Sequence, residues 1–164
     1  MGIQGEYRER CRRDTDVAAH LGILYAWGLR SPVMVELGVR AGNSTCALLA
    51  AAARSGGHLW SIDLEPPDTP RWWRDLDCWT LITGHDRDVT HLVPDVIDLL
   101  FIDTSHLAAD TTAELTLYGT RVREGGVILL HDAELPGVHG PVAEWYGRDW
   151  TYHMRDHGLA VIER

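Results

Sequence analysis

Apolar residues in this chain fall into short runs separated by polar turns, and the runs have two periods. Over residues 6–29, Val17, Leu21, Leu24 and Tyr25 recur at helical spacing with a break at 14–16, which predicts two short helices, the second capped by Thr15 or Asp16. VMVEL at 33–37 is the apolar, β-rich kind of run found in strands covered on both faces. A glycine turn and an alanine-rich helix over 44–54 follow it. Further strands are expected at 58–63, 78–84, 96–103 and 126–132. Between them the pattern predicts a loop with a short helix at 66–77, a small helix at 86–93 and a helix at 108–123 that stops before Gly125 and Gly126. A short helix over 140–147 precedes WTYHM and LAVIE, which are joined by the turn RDHG. Strands so closely connected must pair antiparallel. The expected fold is α/β: a Rossmann-like, doubly wound, mostly parallel seven-stranded sheet with a C-terminal antiparallel hairpin, forming a single domain over 1–164.

Composition narrows the chemistry. All 15 basic residues are arginine, so Schiff-base chemistry, a phosphate-loop lysine and a lysine general base are excluded. The net charge of −9 argues against a nucleic-acid partner, because the only dense basic cluster is Arg8 to Arg13, which suits a solvated helix face. Cys11, Cys46 and Cys78 are far apart and form neither a disulfide framework nor a zinc motif. The opening residues lack an apolar leader core and no run is long enough to span a membrane, so a soluble, cytoplasmic protein is expected. An arginine-only basic set fits a GC-rich genome and is consistent with natural-product chemistry.

In doubly wound sheets, ligands bind beyond the carboxyl ends of the strands. After the first strand, Glu36, Gly38, Gly42, Asn43 and Ser44 form a glycine turn entering a helix. Asp63 ends the second strand, where a carboxylate can accept both hydroxyls of a ribose. The spacing GVRAG lacks the third glycine of a dinucleotide fingerprint and favours another ribose-bearing ligand. Asp103 and His106 follow the fourth strand, and His131 and Asp132 end the fifth. Neighbouring strands would bring these groups to one cleft, where carboxylate and imidazole donors suit magnesium, manganese or iron. Histidine is the available base when lysine is absent. The tryptophans Trp72, Trp73 and Trp79 suit a core or interface role better than a ligand wall.

VELGVRAGNST and SIDLE resemble the class I S-adenosylmethionine-dependent methyltransferases at their defining positions. The resemblance implies that residues 38–42, with Glu36, Asn43 and Ser44, lie against the methionine part of the cofactor. It implies that Asp63 and Leu64 meet the ribose, and that Gly84, His85 and Asp86 lie near the adenine. LLFIDTSHLAADTTAEL and VREGGVILLHD resemble a narrower group, the metal-dependent small-molecule O-methyltransferases of macrolide sugar pathways and the cephalosporin-hydroxylase-like family. This implies a divalent metal, magnesium first, on Asp103 and Asp132, with His131 at a third ligand position, Asp103 also counted among the cofactor-binding and catalytic residues, and His106 as the base removing a hydroxyl proton from a small-molecule acceptor. Residues 1–30 would cap the cofactor site and bring His20 toward it. The acceptor pocket would be shallow, built from the first helices and residues 134–145 or completed by a second copy in a homodimer. Two other classes remain open at this point: a metal-dependent hydrolase or hydroxylase-like enzyme built on the Asp103, His106, His131 and Asp132 cluster, and a non-catalytic cofactor-binding module.

Overall fold

The structure is a computed structural model that describes residues 2–155 and 157–164. Met1 and Asp156 lie outside the described residues, and with Asp156 so does part of the expected RDHG turn. Seven strands, β1 (Val33–Leu37), β2 (His58–Asp63), β3 (Trp79–Thr83), β4 (Ile97–Ile102), β5 (Val122–His131), β6 (Thr151–His153) and β7 (Leu159–Glu163), form one sheet in the order β3-β2-β1-β4-β5-β7-β6. The pairs from β3 to β5 are parallel, and β7 runs antiparallel between β5 and β6. The seven-stranded, mostly parallel sheet with its terminal hairpin is the architecture expected from the sequence. The order turns back between β1 and β4, which places the ends of the strands flanking that point at the mouth of a cleft.

Helices α1 (Ile3–Arg10), α2 (Leu21–Gly28) and α3 (Asn43–Ser55) are joined in one apolar layer with Met34, Leu99, Phe101, Val127 and Leu129. The alternate residues Val35, Leu37, Leu100, Ile102, Ile128 and Leu130 point the other way, onto α4 (Ala108–Leu117) and α5 (Pro136–Tyr146) through Leu115, Val138 and Val142. Both faces of β1 and β4 are therefore covered, which is why their sequences are continuously apolar rather than alternating. Every residue of β4 is buried, and in β1 only Val33 is not. Among the described residues no helix is long and apolar enough to cross a membrane.

Five local expectations are corrected. α4 ends at Leu117, not 123, and a 3-10 turn at Gly119–Arg121 leads straight into β5, which begins at Val122. The glycine pair at 125 and 126 is a bulge inside that strand, where the pairing with β4 jumps from Ile97↔Val122 to Leu99↔Val127. Of the helix expected at 86–93, only a 3-10 turn at Thr90–Leu92 forms. The Tyr118 hydroxyl donates to the Asp86 carbonyl, which a helix would give to the Thr90 N–H, and Pro94 has no N–H to offer the Thr90 carbonyl, which Arg121 binds instead. α5 starts at Pro136, four residues early, because proline suits the first helical position. α2 has no side-chain cap from Thr15 or Asp16; a 3-10 turn at Ala18–His20 precedes it.

Candidate functional site

The loops after β1, β2, β3 and β4 enclose a cavity of about 310 Å³. Gly38, Val39 and Arg40 form one wall, Asp63 and Leu64 the next, Gly84, His85 and Asp86 a third, and Asp103, Thr104, Ser105, Asp110 and Glu114 the last. The close fit of the first wall depends on one residue: at Gly38, with φ of +89°, an added Cβ would lie 1.9 Å from the carbonyl oxygen of Asp103. Asp63 is the organiser of this loop. Its Oδ2 accepts the backbone N–H groups of Val39 and Arg40 at 2.8 and 2.9 Å, and its Oδ1 accepts that of Glu65 at 3.2 Å.

Seven expected cofactor residues, Gly38, Asp63, Leu64, Gly84, His85, Asp86 and Asp103, line this cavity. Glu36, Gly42, Asn43 and Ser44 do not line it. Glu36 is fully buried beneath the loop and accepts the hydroxyls of Ser44 and Ser61, both at 2.7 Å; burial pushes its carboxyl up to about 7. The Asn43 Oδ1 accepts from Arg10 at 2.7 Å, and Arg10 also donates to the Ala41 carbonyl and pairs with Glu6. Gly42 packs against Trp73, whose indole N–H donates to Glu6. Trp73 and Trp79 are core residues, as their composition suggested, and Trp72 is partly exposed. Helix α1 thus supports the glycine loop from behind, and among the described residues none of 2–30 lines the cavity.

Asp103 belongs to a second constellation as well. The Nε2 of His106 lies 3.2 Å from its Oδ1 and 2.9 Å from Asp132 Oδ2, while His131 Nδ1 lies 3.7 Å from Asp103 and 3.2 Å from Asp132. A carbonyl can only accept, so the 2.9 Å contact from His131 Nε2 to the Asp16 carbonyl fixes the proton on Nε2. Nδ1 is left facing the carboxylates, buried and without a hydrogen bond. One donor atom each from Asp103, His131 and Asp132 falls within a 4.8 Å span. A backbone carbonyl orienting an imidazole whose other nitrogen faces two carboxylates is the arrangement that metal-ligating histidines use, so the donor set fits a divalent cation.

The electrostatics of the cluster are mutual. Burial alone would raise the Asp103 carboxyl, but the imidazoles of His106 and His131 beside it outweigh that and hold the group well below the usual range. Burial alone would lower His131, yet the two carboxylates push it up to about 10, and the bond to Asp103 raises His106 too. The backbone here is unusual: His106 and Asp132 have φ of +58° and +53°. Positive φ at non-glycine residues costs about 1–3 kcal/mol each and persists where neighbouring structure holds it. Part of that support is α5, since a Cβ at Gly137 would come within 2.0 Å of the His106 carbonyl.

His20 is buried edge-on to the His131 ring, with centroids 5.5 Å apart, and its Nε2 donates to the Arg155 carbonyl at 2.7 Å. It therefore stands behind the cluster. The sequence pattern marked Asp16 only as a candidate helix cap, whereas it binds Arg40 with its side chain and His131 with its carbonyl. The pattern did not single out Glu114, although a carboxylate on the Leu115 side of α4 was a readable anomaly.

The fold, with its cleft at the β1/β4 reversal, is that of the class I methyltransferases. A methyltransferase domain model matches residues 35–133, and the chain belongs to that family. No curated protein sequence matches it. Among solved structures, the chain is similar to the methyltransferase PaMTH1 of Podospora anserina bound to S-adenosylhomocysteine, with 13% identity, coverage of 100% of this chain and 88% of that one, and a TM-score of 0.72. An O-methyltransferase from Bacillus cereus, also bound to S-adenosylhomocysteine, gives 15%, 97%, 89% and 0.62. The methyltransferase MycE of mycinamycin biosynthesis, in complex with magnesium and S-adenosylhomocysteine, gives 17%, 98%, 53% and 0.65.

Proposed function

We propose that this domain transfers the methyl group of S-adenosylmethionine to a hydroxyl oxygen of a small molecule, with a divalent cation, magnesium, held by Asp103, His131 and Asp132. The observation that carries the reading is that Asp103 belongs both to the wall of the nucleoside-sized cavity and to the donor cluster, so one residue joins a cofactor site to a metal site. Similar structures holding S-adenosylhomocysteine, one with magnesium, support the same reading.

When bound, the cofactor supplies a methyl group on a positively charged sulfur, and the cation supplies a Lewis acid that lowers the pKa of an acceptor hydroxyl. The rest belongs to the chain. The main chain at 38–40 and the oxygens of Asp63 hold the ribose and methionine portions, with Leu64 at the rim and Gly84, His85 and Asp86 framing the base. His106, whose Nε2–H is held by Asp103 and Asp132, takes the hydroxyl proton on its other ring nitrogen, Nδ1, and the two carboxylates stabilise the imidazolium that forms. General-base assistance of this kind is worth about 10²- to 10⁴-fold.

The test is transfer of label from methyl-tritiated S-adenosylmethionine to a panel of catechols and sugar hydroxyls, with magnesium or with chelator, beside Mn²⁺ titration followed by electron paramagnetic resonance. Transfer that needs the metal and His106, with Mn²⁺ binding that Asp132→Ala removes, is the expected result. Mn²⁺ binding equal in wild type and Asp132→Ala would dismiss the metal assignment.

A further inference from the structure

The wall of the cavity formed by α4 holds a polar arrangement that no step above uses. Glu114 is 1% exposed, and its Oε1 accepts the Thr104 hydroxyl at 2.6 Å. Its Oε2 is buried and meets no protein donor, although Asp86 stands within hydrogen-bonding reach. Two carboxylates face each other there, and they can bond only through a shared proton.

Thr104 belongs to the loop after β4 and Asp86 to the loop after β3. These strands are separated in the sheet by β1 and β2, so no ladder hydrogen bond ties their loops together. On the outer side Asp110 makes a partly exposed bridge, accepting from Ser105 of one loop and Arg87 of the other. Glu114 makes the inner, water-excluded one.

We propose that Glu114 is a positioning residue that works as a neutral acid: it accepts from Thr104 and donates its proton to Asp86, fixing Asp86 against the nucleobase and setting the spacing of the two loops across the cavity. The inference rests on the reading of this cavity as the adenosyl site. The surrounding charges agree with it. Burial and the charges of Asp86 and Asp110 push the Glu114 carboxyl up to about 8, the Arg87 cation is paired with Asp110, and His85 lies on the far side of Asp86 at 2.6 Å. Tyr118 binds only the carbonyl of Asp86 and adds no charge at neutral pH. With the proton in place the bridge closes; once it is lost, two anions repel across the loop gap.

The probe is 5′-methylthioadenosine, which carries the adenosyl group without the titrating amino-acid end, measured by calorimetry from pH 6.5 to 9.5. Wild-type affinity is expected to fall by about tenfold per pH unit at most above pH 8, the slope of one linked proton. Glu114→Gln, which donates and accepts from the same positions without titrating, is expected to keep the pH 6.5 affinity and make the profile flat. Glu114→Leu is expected to bind weakly at every pH. A flat wild-type profile, or Gln binding as weakly as Leu, overturns the proposal. If Glu114→Leu fails to fold, the wild-type and Gln profiles decide alone. Failure of the wild type to bind at pH 6.5, with a melting transition showing it folded, would instead remove the adenosyl reading beneath it.

Discussion

At the proposed nucleoside end of the cleft, much of the wall is backbone: Val39 and Arg40 are held by Asp63, and Gly38 lies so close to the Asp103 carbonyl that no side chain fits between them. At the reacting end, four charged or titratable side chains from the ends of β4 and β5 touch one another, two of them on left-handed backbone. The first region is a shape already open in the folded chain, whereas the second is a set of charges satisfying each other. Shape built from the main chain tolerates changes of side chain nearby but not changes of backbone volume. A charge cluster has the opposite sensitivity, since removing one partner leaves another uncompensated.

The largest expected effect is at the reacting end. Asp132→Ala removes a proposed metal donor and the closest carboxylate to His106, and methyl transfer is expected to fall by about 10³-fold. S-adenosylhomocysteine affinity should stay within a few-fold, because Asp132 does not line the cavity. Calorimetry showing a comparable loss of cofactor binding would erase the distinction between the two ends.

Gly38→Ala is the matching test of the backbone end. The added Cβ overlaps the Asp103 carbonyl on a backbone with positive φ, so stability is expected to drop by about 4 kcal/mol, read from urea unfolding. A midpoint shift worth less than about 1 kcal/mol would mean that the loop yields and is not a fixed shape.

Below both lies Glu36, whose buried carboxyl is raised from the usual 4.5 to about 7. A carboxyl that holds its proton more tightly in the folded state contributes stability fully present below pH 4.5. That stability is lost as pH rises through 7. Comparing urea unfolding at pH 4.5 and 8, Glu36→Gln is expected to remove a decline of about 3 kcal/mol. Equal pH dependence in both proteins would show that Glu36 is ionised in place, satisfied by Ser44 and Ser61.

Strand positions were legible because burial on both faces writes itself as unbroken apolar runs; β1 and β2 fall where the pattern put them. The same logic located the strand-end residues of the cleft. What was not legible depends on contacts distant in sequence. The helix expected at 86–93 does not form: Tyr118, distant in sequence, claims the Asp86 carbonyl. Glu36 sits where a cofactor contact was expected, yet its neighbours in space are Ser44 and Ser61, and no periodicity reports that pairing. Asp16 gave only the signal of a helix cap, while its carbonyl selects the tautomer of His131.

The most direct test of the cofactor site is titration calorimetry with S-adenosylhomocysteine, with NAD as the control ligand, on wild type and Asp63→Ala, with and without magnesium. Asp63 holds two loop N–H groups and faces the cavity, so losing its charged bonds is expected to weaken S-adenosylhomocysteine by about 30-fold or more, with no NAD signal in either protein. No S-adenosylhomocysteine binding by the folded wild type, or equal affinity in Asp63→Ala, would contradict the assignment of this cavity to the methyl donor.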